Sequence, residues 1–367
     1  MIFALAGCGE SNGQKTNKGP ILLTPSNGAV VEILPLTMQN YIDSMHEDYV
    51  HTFVSDYSSS WSDTPVILSW GEDGSSEYEV SVSTRQDMLG AKKIVVTEET
   101  CSLNNLLADT VYYWTVKSKY GTAETGSFRT RDTTRWLAVD GAKNVRDLGN
   151  YTTKTGERVK QGMLYRGTEL NYRLNISESG KNTMLNDLKI KTEIDLRWGN
   201  QTSDSEPITV SPLGNTVNYY NLPIVPYADL NVPFYNNPEY ENYPIENRQN
   251  LHYIFSELLS DESAYPIYFH CYYGADRTGC LAFLISGLLG VSYPDLISDY
   301  EQTTFGMELR TRDLSYYYGS ELRKFQNMLR SYGDDDDDWQ KLCSSFLKEY
   351  VGVTKQEIAK IKEILLI

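Results

Sequence analysis

The chain has 367 residues, with 49 acidic against 33 basic side chains and a formal net charge of −16. At roughly 150 residues per domain that length predicts two domains, and the uniform negative charge disfavours binding to nucleic acid or anionic membrane surfaces. No apolar run reaches the roughly 18 residues a spanning helix needs, and four histidines and five scattered cysteines without a CxxC pair give no basis for a metal site or a disulfide framework.

The chain opens Met1-Ile-Phe-Ala-Leu-Ala-Gly-Cys8, followed from Gly9 to Gly19 mostly by Gly, Ser, Asn, Gln and Lys, with Glu10 and Thr16, without apolar periodicity. The second stretch has the composition of a flexible tether. Leu5-Ala6-Gly7-Cys8 resembles the lipobox of bacterial lipoproteins, which implies lipidation of Cys8 and an envelope location outside the cytoplasm. The seven residues before Cys8 contain no Lys or Arg, unlike the basic start of an export signal, so a cytoplasmic location is the alternative.

From residue 20 to about 132 short runs alternate with period two, as half-buried strands do. Val66–Trp70, Tyr78–Val82, Tyr112–Val116 and a last run around Phe128 are separated by polar turns, which predicts an antiparallel β-sandwich. Asn105 to Val116, with Leu106, Thr110 and Tyr112, resembles the corner of fibronectin type III domains. Trp70 resembles their core tryptophan, and Gly126–Thr130 their closing strand. Residues 36–60 do not fit that pattern and read as an amphipathic helix or an insertion. His46 and His51 are five apart, which does not align them on a helix face, and both read as surface residues. The module as a whole reads as a spacer or docking domain.

From about 133 to 367 strand and helix patterns alternate, predicting an α/β domain with a central sheet flanked by helices. Thr192–Leu196 and Pro266–Phe269 read as strands, and Cys280–Leu289 as a helix buried all round. Gly290 stops that helix, and Ser292 with Pro294 and Asp295 starts the next. Thr354-Lys-Gln-Glu357 is a capping box, with Ile358, Ile361 and Leu365 on one face of a terminal helix. Cys101, Cys280 and Cys343 read as structural, and the Asp334–Asp338 run as a solvated loop without calcium-ligand spacing.

Between the Pro266–Phe269 strand and the buried helix lies His270-Cys271-Tyr272-Tyr273-Gly274-Ala275-Asp276-Arg277-Thr278-Gly279. A loop entering a helix N-terminus presents backbone N–H groups to an anion. The helix end and Arg277 both favour thiolate, so Cys271 is expected to ionise below about 8.5, toward about 5. Arg277 is placed to grip two oxygens of the anion. Gly274 permits the bend, Thr278 can donate to the sulfur, and His270 orders the loop. The amides of Tyr272, Tyr273, Gly274, Ala275, Asp276, Arg277 and Thr278 form the expected phosphate cradle.

This segment resembles the CX5R signature, HCxxGxxRTG, of protein tyrosine phosphatases and their dual-specificity relatives. Asn144–Tyr151, with Arg146 and Asp147, resembles the NFRDLGGY entry motif of a bacterial branch. Leu164-Tyr165-Arg166-Gly167 and Ile194-Asp195-Leu196-Arg197 resemble its LYRS and IDLR elements. The resemblance spans about 135–367 and implies phosphomonoester hydrolysis through a cysteinyl-phosphate, without cofactor or metal. Asp276 ranks first as the general acid, Asp195 as a supporting or alternate carboxylate, and Asp229 third. Branch members often carry Lys where Ala275 stands. A loop without lysine suits a singly phosphorylated group, so phosphotyrosine, or phosphoserine and phosphothreonine too, is expected before inositol phosphates or phosphoinositides. The other alternative is a non-catalytic surface protein that only binds phosphate. The expected partner is a phosphorylated protein or a small phosphomonoester, with membrane attachment only through lipid on Cys8 and oligomeric state left open. Tyr219-Tyr220 and Tyr235–Tyr243 are expected to serve in packing rather than to wall a pocket.

Overall fold

The computed structural model describes residues 19–44, 50–54, 61–204, 206–227, 243–307, 311–314, 320–333 and 338–367. Cys8, His46, Asp229, Tyr235 and Asp334 to Asp337 lie outside them. None of the described helices is long and apolar enough to cross a membrane.

The chain forms two compact units. The first contains Val66–Leu103, Thr110–Thr130 and the described residues before Glu32. Its strands form two sheets. Leu22–Thr24, Val66–Trp70 and Thr100–Leu103 make one. Ala29–Val31, Gly126–Thr130, Val111–Ser118, Tyr78–Ser83 and Lys92–Val96 make the other, in that order. Alternation sets the inner faces. Val66, Leu68 and Trp70 are buried on the first sheet, and Tyr78, Val80, Trp114 and Val116 on the second. Trp70 meets Tyr78 edge to face, with ring centroids 5.3 Å apart, so the two sheets face each other.

Residues 32–65 and 104–109 pack with the second unit rather than the first. The expected boundaries, 20–132 and 133–367, therefore differ from the compact units. The segment carries the helix Leu36–Asp43, with Met38 and Tyr41 buried, and the short helix Val50–Phe53. Its apolar stripe is covered by rings of the second unit. Tyr41 packs on Phe305 at 5.4 Å, and Trp61 stacks on the same ring at 5.5 Å. His51 is not an ordinary surface residue: its Nδ1 lies 2.5 Å from Oδ2 of the buried Asp313.

The second unit is built on a six-stranded sheet ordered Arg135–Trp136, Arg146–Asp147, Leu164–Gly167, Ile267–His270, Thr192–Asp195 and Asn218–Asn221. The last four are parallel and the first two antiparallel additions. Register sets Gly167 and Asp195 on either side of His270, so three strands end together at one sheet edge. Ligands of open parallel sheets bind beyond that edge.

The helix Asp276–Leu289 leaves that edge and is buried from Arg277 onward. Gly290 ends it at φ +90°, a conformation costly for other residues. Ser292 then caps Tyr293–Glu301 by accepting from the Asp295 amide, and Thr354 with Glu357 forms the capping box of Lys355–Leu365. Asp338 caps Trp339–Phe346 through the Lys341 amide, so the end of the aspartate run is structural. The core carries a cluster of rings: Phe283 packs edge to face on Trp339 at 5.2 Å and on Phe325 at 6.4 Å. Phe283→Ala is expected to destabilise the protein by about 3–5 kcal/mol, because the packed helices cannot collapse into the space. Denaturant unfolding followed by tryptophan fluorescence measures it.

Candidate active site

The loop from His270 to Thr278 is shaped from outside. Asn144 Nδ2 donates to the carbonyls of Tyr273 (3.1 Å) and Gly274 (3.2 Å). Arg166 Nη2 donates to the Gly274 carbonyl at 2.6 Å, and the Glu169 amide donates to the Tyr272 carbonyl at 3.1 Å. With its carbonyls held on the outer side, the loop turns its N–H groups inward. The helix Asp276–Leu289 starts at Ala275 with no side-chain cap, so its first amides keep their donors for a ligand. Gly274 adopts φ +62°, and a Cβ there would lie 2.3 Å from the Gly167 carbonyl oxygen. Both the conformation and the space require glycine.

Cys271 is 4 % exposed at the floor of this cradle. Burial pushes its thiol pKa up. The Arg277 charge and hydrogen bonds from the Thr278 hydroxyl and amide outweigh burial and hold it below the ordinary thiol value, against a smaller opposing effect of Asp276. The buried Thr278 hydroxyl meets no hydrogen-bond partner of good geometry among the described residues, so it is available to the sulfur. Cys280 and Cys343 contrast with this: burial drives both thiols up, and neither has a cation strong enough to reverse it.

Arg277 donates from Nη1 to the Leu196 carbonyl and to Gln201 Oε1, each at 3.1 Å. Its guanidinium lies 5.5 Å from the Trp198 ring centre and 5.8 Å from that of Tyr272. The turn after the Thr192–Asp195 strand thus holds the arginine. Trp198 and Gln201 are site residues that sequence reasoning missed. Their proximity to the Ile194–Arg197 motif was the available signal. Arg173 was missed as well: it reaches Tyr273 Oη at 2.7 Å and lies 4.7 Å over the Tyr272 ring. Tyr172 packs against Tyr272 at 6.0 Å, so rings gather at the loop's mouth.

Beneath the loop is a layer of buried charge. His270 Nε2 lies 2.9 Å from Glu193 Oε1, and the Glu193 carboxylate also accepts from Ser211. Burial opposes the charged imidazole, but Asp195 and Glu193 prevail and raise its pKa. Asp195 is fully buried and accepts from Arg197 Nη2 at 2.6 Å and from Tyr219 Oη at 2.9 Å. Arg197 also pairs with Glu169 and reaches Asn171 at 2.9 Å. Asp195 therefore braces the sheet edge in this arrangement. Tyr219 serves the same packing.

The entry motif has a comparable role. Arg146 Nε donates to Asp299 Oδ1 at 2.8 Å, and Arg166 pairs with the other oxygen of Asp299. Burial and the neighbouring Arg166 lower the Arg146 guanidinium to about 10. Asp147 accepts from Arg135 Nη1 (2.8 Å) and from the Gly149 (2.8 Å) and Gly162 (2.6 Å) amides, which fixes the turns around it.

Asp276 opens the helix with 24 % of its side chain exposed. Arg312 grips it in a fork, Nε to Oδ1 and Nη2 to Oδ2, each at 2.6 Å, and Tyr300 donates to Oδ1 at 2.9 Å. Arg312 is the fourth residue that sequence reasoning missed, and no local motif marks it.

Residues 137–367 match the model of the Tyrosine phosphatase family, more than half of the chain, and the chain belongs to that family. A Cupriavidus necator protein named "Putative tyrosine-protein phosphatase H16_A0669" is 25% identical over 179 residues. The match covers 45% of this chain and 61% of that one, so the chain spans less than two thirds of that relative. Among solved structures, the core catalytic domain of the PP-IP phosphatase SIW14 from S. cerevisiae, in complex with citrate, aligns with a TM-score of 0.31 at 17% identity, over 56% of this chain and 94% of that one. A second Siw14 catalytic core aligns at 0.28 and 17%, over 49% and 85%.

Two measurements test this geometry. Alkylation of Cys271 by iodoacetamide is expected to reach half its maximal rate at a pH below that of an ordinary thiol, and Arg277→Ala moves that pH upward. Gly274→Ala is expected to lower kcat/KM by about 10²-fold or more, because displacing the loop misaims several amides at once. Phosphatase assay with p-nitrophenyl phosphate reads it.

Proposed function

We propose that the chain is a cysteine-dependent phosphomonoester hydrolase that prefers phosphotyrosine and works through a cysteinyl-phosphate. The observation that carries this reading is the lowered thiol of Cys271, at the floor of an amide-lined loop that also holds Arg277. A weak nucleophile needs a base, and a thiolate does not.

In the first step the Cys271 sulfur attacks phosphorus in line, the S–P bond forms and the P–O bond to the leaving group breaks. Arg277 leaves Gln201 and the Leu196 carbonyl to hold two equatorial oxygens, while the inward amides hold the charge that develops there. Asp276 supplies the proton to the departing oxygen. Of the two candidate carboxylates among the described residues it is the one with solvent exposure, whereas Asp195 is closed in by Arg197 and Tyr219. In the second step water attacks phosphorus, gives its proton to Asp276, and releases phosphate from sulfur.

The preference for an aryl phosphate rests on the rings of Tyr172, Tyr272 and Trp198 around the mouth, which offer a flat substrate ring stacking surfaces. The loop offers no lysine to a polyphosphate. We further assign the strands of the first unit to a fibronectin type III-like sandwich that spaces or docks the catalytic unit, and Cys8 to lipid attachment in the bacterial envelope.

The test is turnover by the full chain with phosphotyrosine peptide, phosphoserine peptide and inositol hexakisphosphate, in the presence of EDTA. Phosphotyrosine is expected to be the best of the three. Cys271→Ser is expected to lose about 10⁴-fold or more on it. A faster rate on inositol hexakisphosphate would overturn the substrate class, and turnover that survives Cys271→Ser would overturn the mechanism.

A further inference from the structure

The fork between Arg312 and Asp276 occupies the carboxylate proposed as proton donor. Oδ1 accepts from Tyr300 Oη and Arg312 Nε, and Oδ2 from Arg312 Nη2. A carboxyl group held this way is engaged through both oxygens. A proton donor must be free to meet the departing oxygen when the leaving group departs.

The fork is built rather than incidental. The Arg312 side chain is 11 % exposed. Its backbone is fixed by Thr304, whose hydroxyl accepts from the Arg312 amide at 2.8 Å and donates to its carbonyl at 3.1 Å. The next two residues are anchored as well. Asp313 pairs with His51, and the Leu314 amide donates to Glu301 Oε1 at 2.7 Å. The second oxygen of Glu301 accepts from Tyr41 Oη at 2.6 Å. Tyr41 and His51 both belong to residues 32–65, the segment that contains the stretch 36–60 read from sequence as an amphipathic helix or an insertion. Other titratable groups around the fork are Tyr227, Cys271 and Cys280 on the Asp276 side and Glu321 on the Arg312 side.

We infer that Arg312 is a positioning residue that holds both oxygens of Asp276 away from a leaving group, that the fork must open for the leaving group to be protonated, and that residues 32–65 moor it through Tyr41 and His51. This rests on Asp276 being the proton donor. The cycle balances. With the fork open, the Asp276 O–H proton passes to the leaving oxygen as the P–O bond breaks. The carboxylate can be recaptured by Arg312, then released to take the proton of the attacking water, which restores the acid.

The experiment compares kcat on phenyl phosphate, whose phenolate leaves poorly without a proton, with kcat on p-nitrophenyl phosphate, whose phenolate needs none. All variants are made in the full chain, and folding is checked by thermal unfolding. Arg312→Gln is expected to raise the phenyl to p-nitrophenyl ratio by about tenfold, a part of the roughly 10²–10⁴-fold that a general acid supplies. Arg312→Lys, which keeps the charge but loses the fork, falls between. Tyr41→Phe, which loosens Glu301, moves the ratio the same way by a smaller factor. A ratio that stays at or below wild type in Arg312→Gln overturns the inference. If that variant does not fold, an unmoved ratio in Arg312→Lys and Tyr41→Phe overturns it instead. Asp276→Asn separates the two readings. A depressed ratio there upholds Asp276 as donor whatever Arg312 does, whereas an unmoved ratio removes the donor role and this inference with it.

Discussion

Asp299 lies between two guanidinium groups in a space nearly closed to water. Arg146 takes one of its oxygens and Arg166 the other, and together they hold the carboxyl below its ordinary value although burial alone would raise it. The rest of the site hangs from this pairing. Arg166 donates from Nη2 to the Gly274 carbonyl, and Arg146 holds Asn144, which takes the carbonyls of Tyr273 and Gly274. Breaking such a buried pair by removing one partner leaves a buried charge uncompensated, at a cost of about 3–5 kcal/mol. The loop keeps its inward amides because its outward carbonyls have partners that cannot move.

A second charged layer does the same for the strand that leads into the loop. His270 is held by Glu193, Asp195 by Arg197 and Tyr219, and Arg197 again by Glu169. These residues alternate in sign across three strand ends that register places side by side. The sulfur sits above this layer and meets mostly positive charge from its own helix end and Arg277. That asymmetry is why burial is outweighed at Cys271, whose thiol is held below its ordinary value, and not at Cys280 or Cys343, whose thiols are pushed up.

The compact units also change how the chain is divided. Residues 32–65 lie in sequence between strands of the first unit, yet they bury their rings on Phe305 and fix the segment that carries Arg312. A helix with Met38 and Tyr41 on one face needs an apolar surface to cover it, and the second unit provides one.

The sequence by itself determined the strand periods, the caps at Ser292 and Thr354, the stop at Gly290, and the ten residues from His270 to Gly279, because each of these depends on neighbours close along the chain. The candidate nucleophile, its arginine and its glycine were legible for that reason. The sequence ranked Asp276 before Asp195, but only tertiary structure supplied their partners, Arg197 and Tyr219 around the buried Asp195 and Arg312 on the partly exposed Asp276. Tertiary structure also placed Trp198, Gln201, Arg173 and Arg312 at the site. Their contacts join residues tens of positions apart, and a pairing over that distance follows from strand register and packing, which no local pattern of residues encodes.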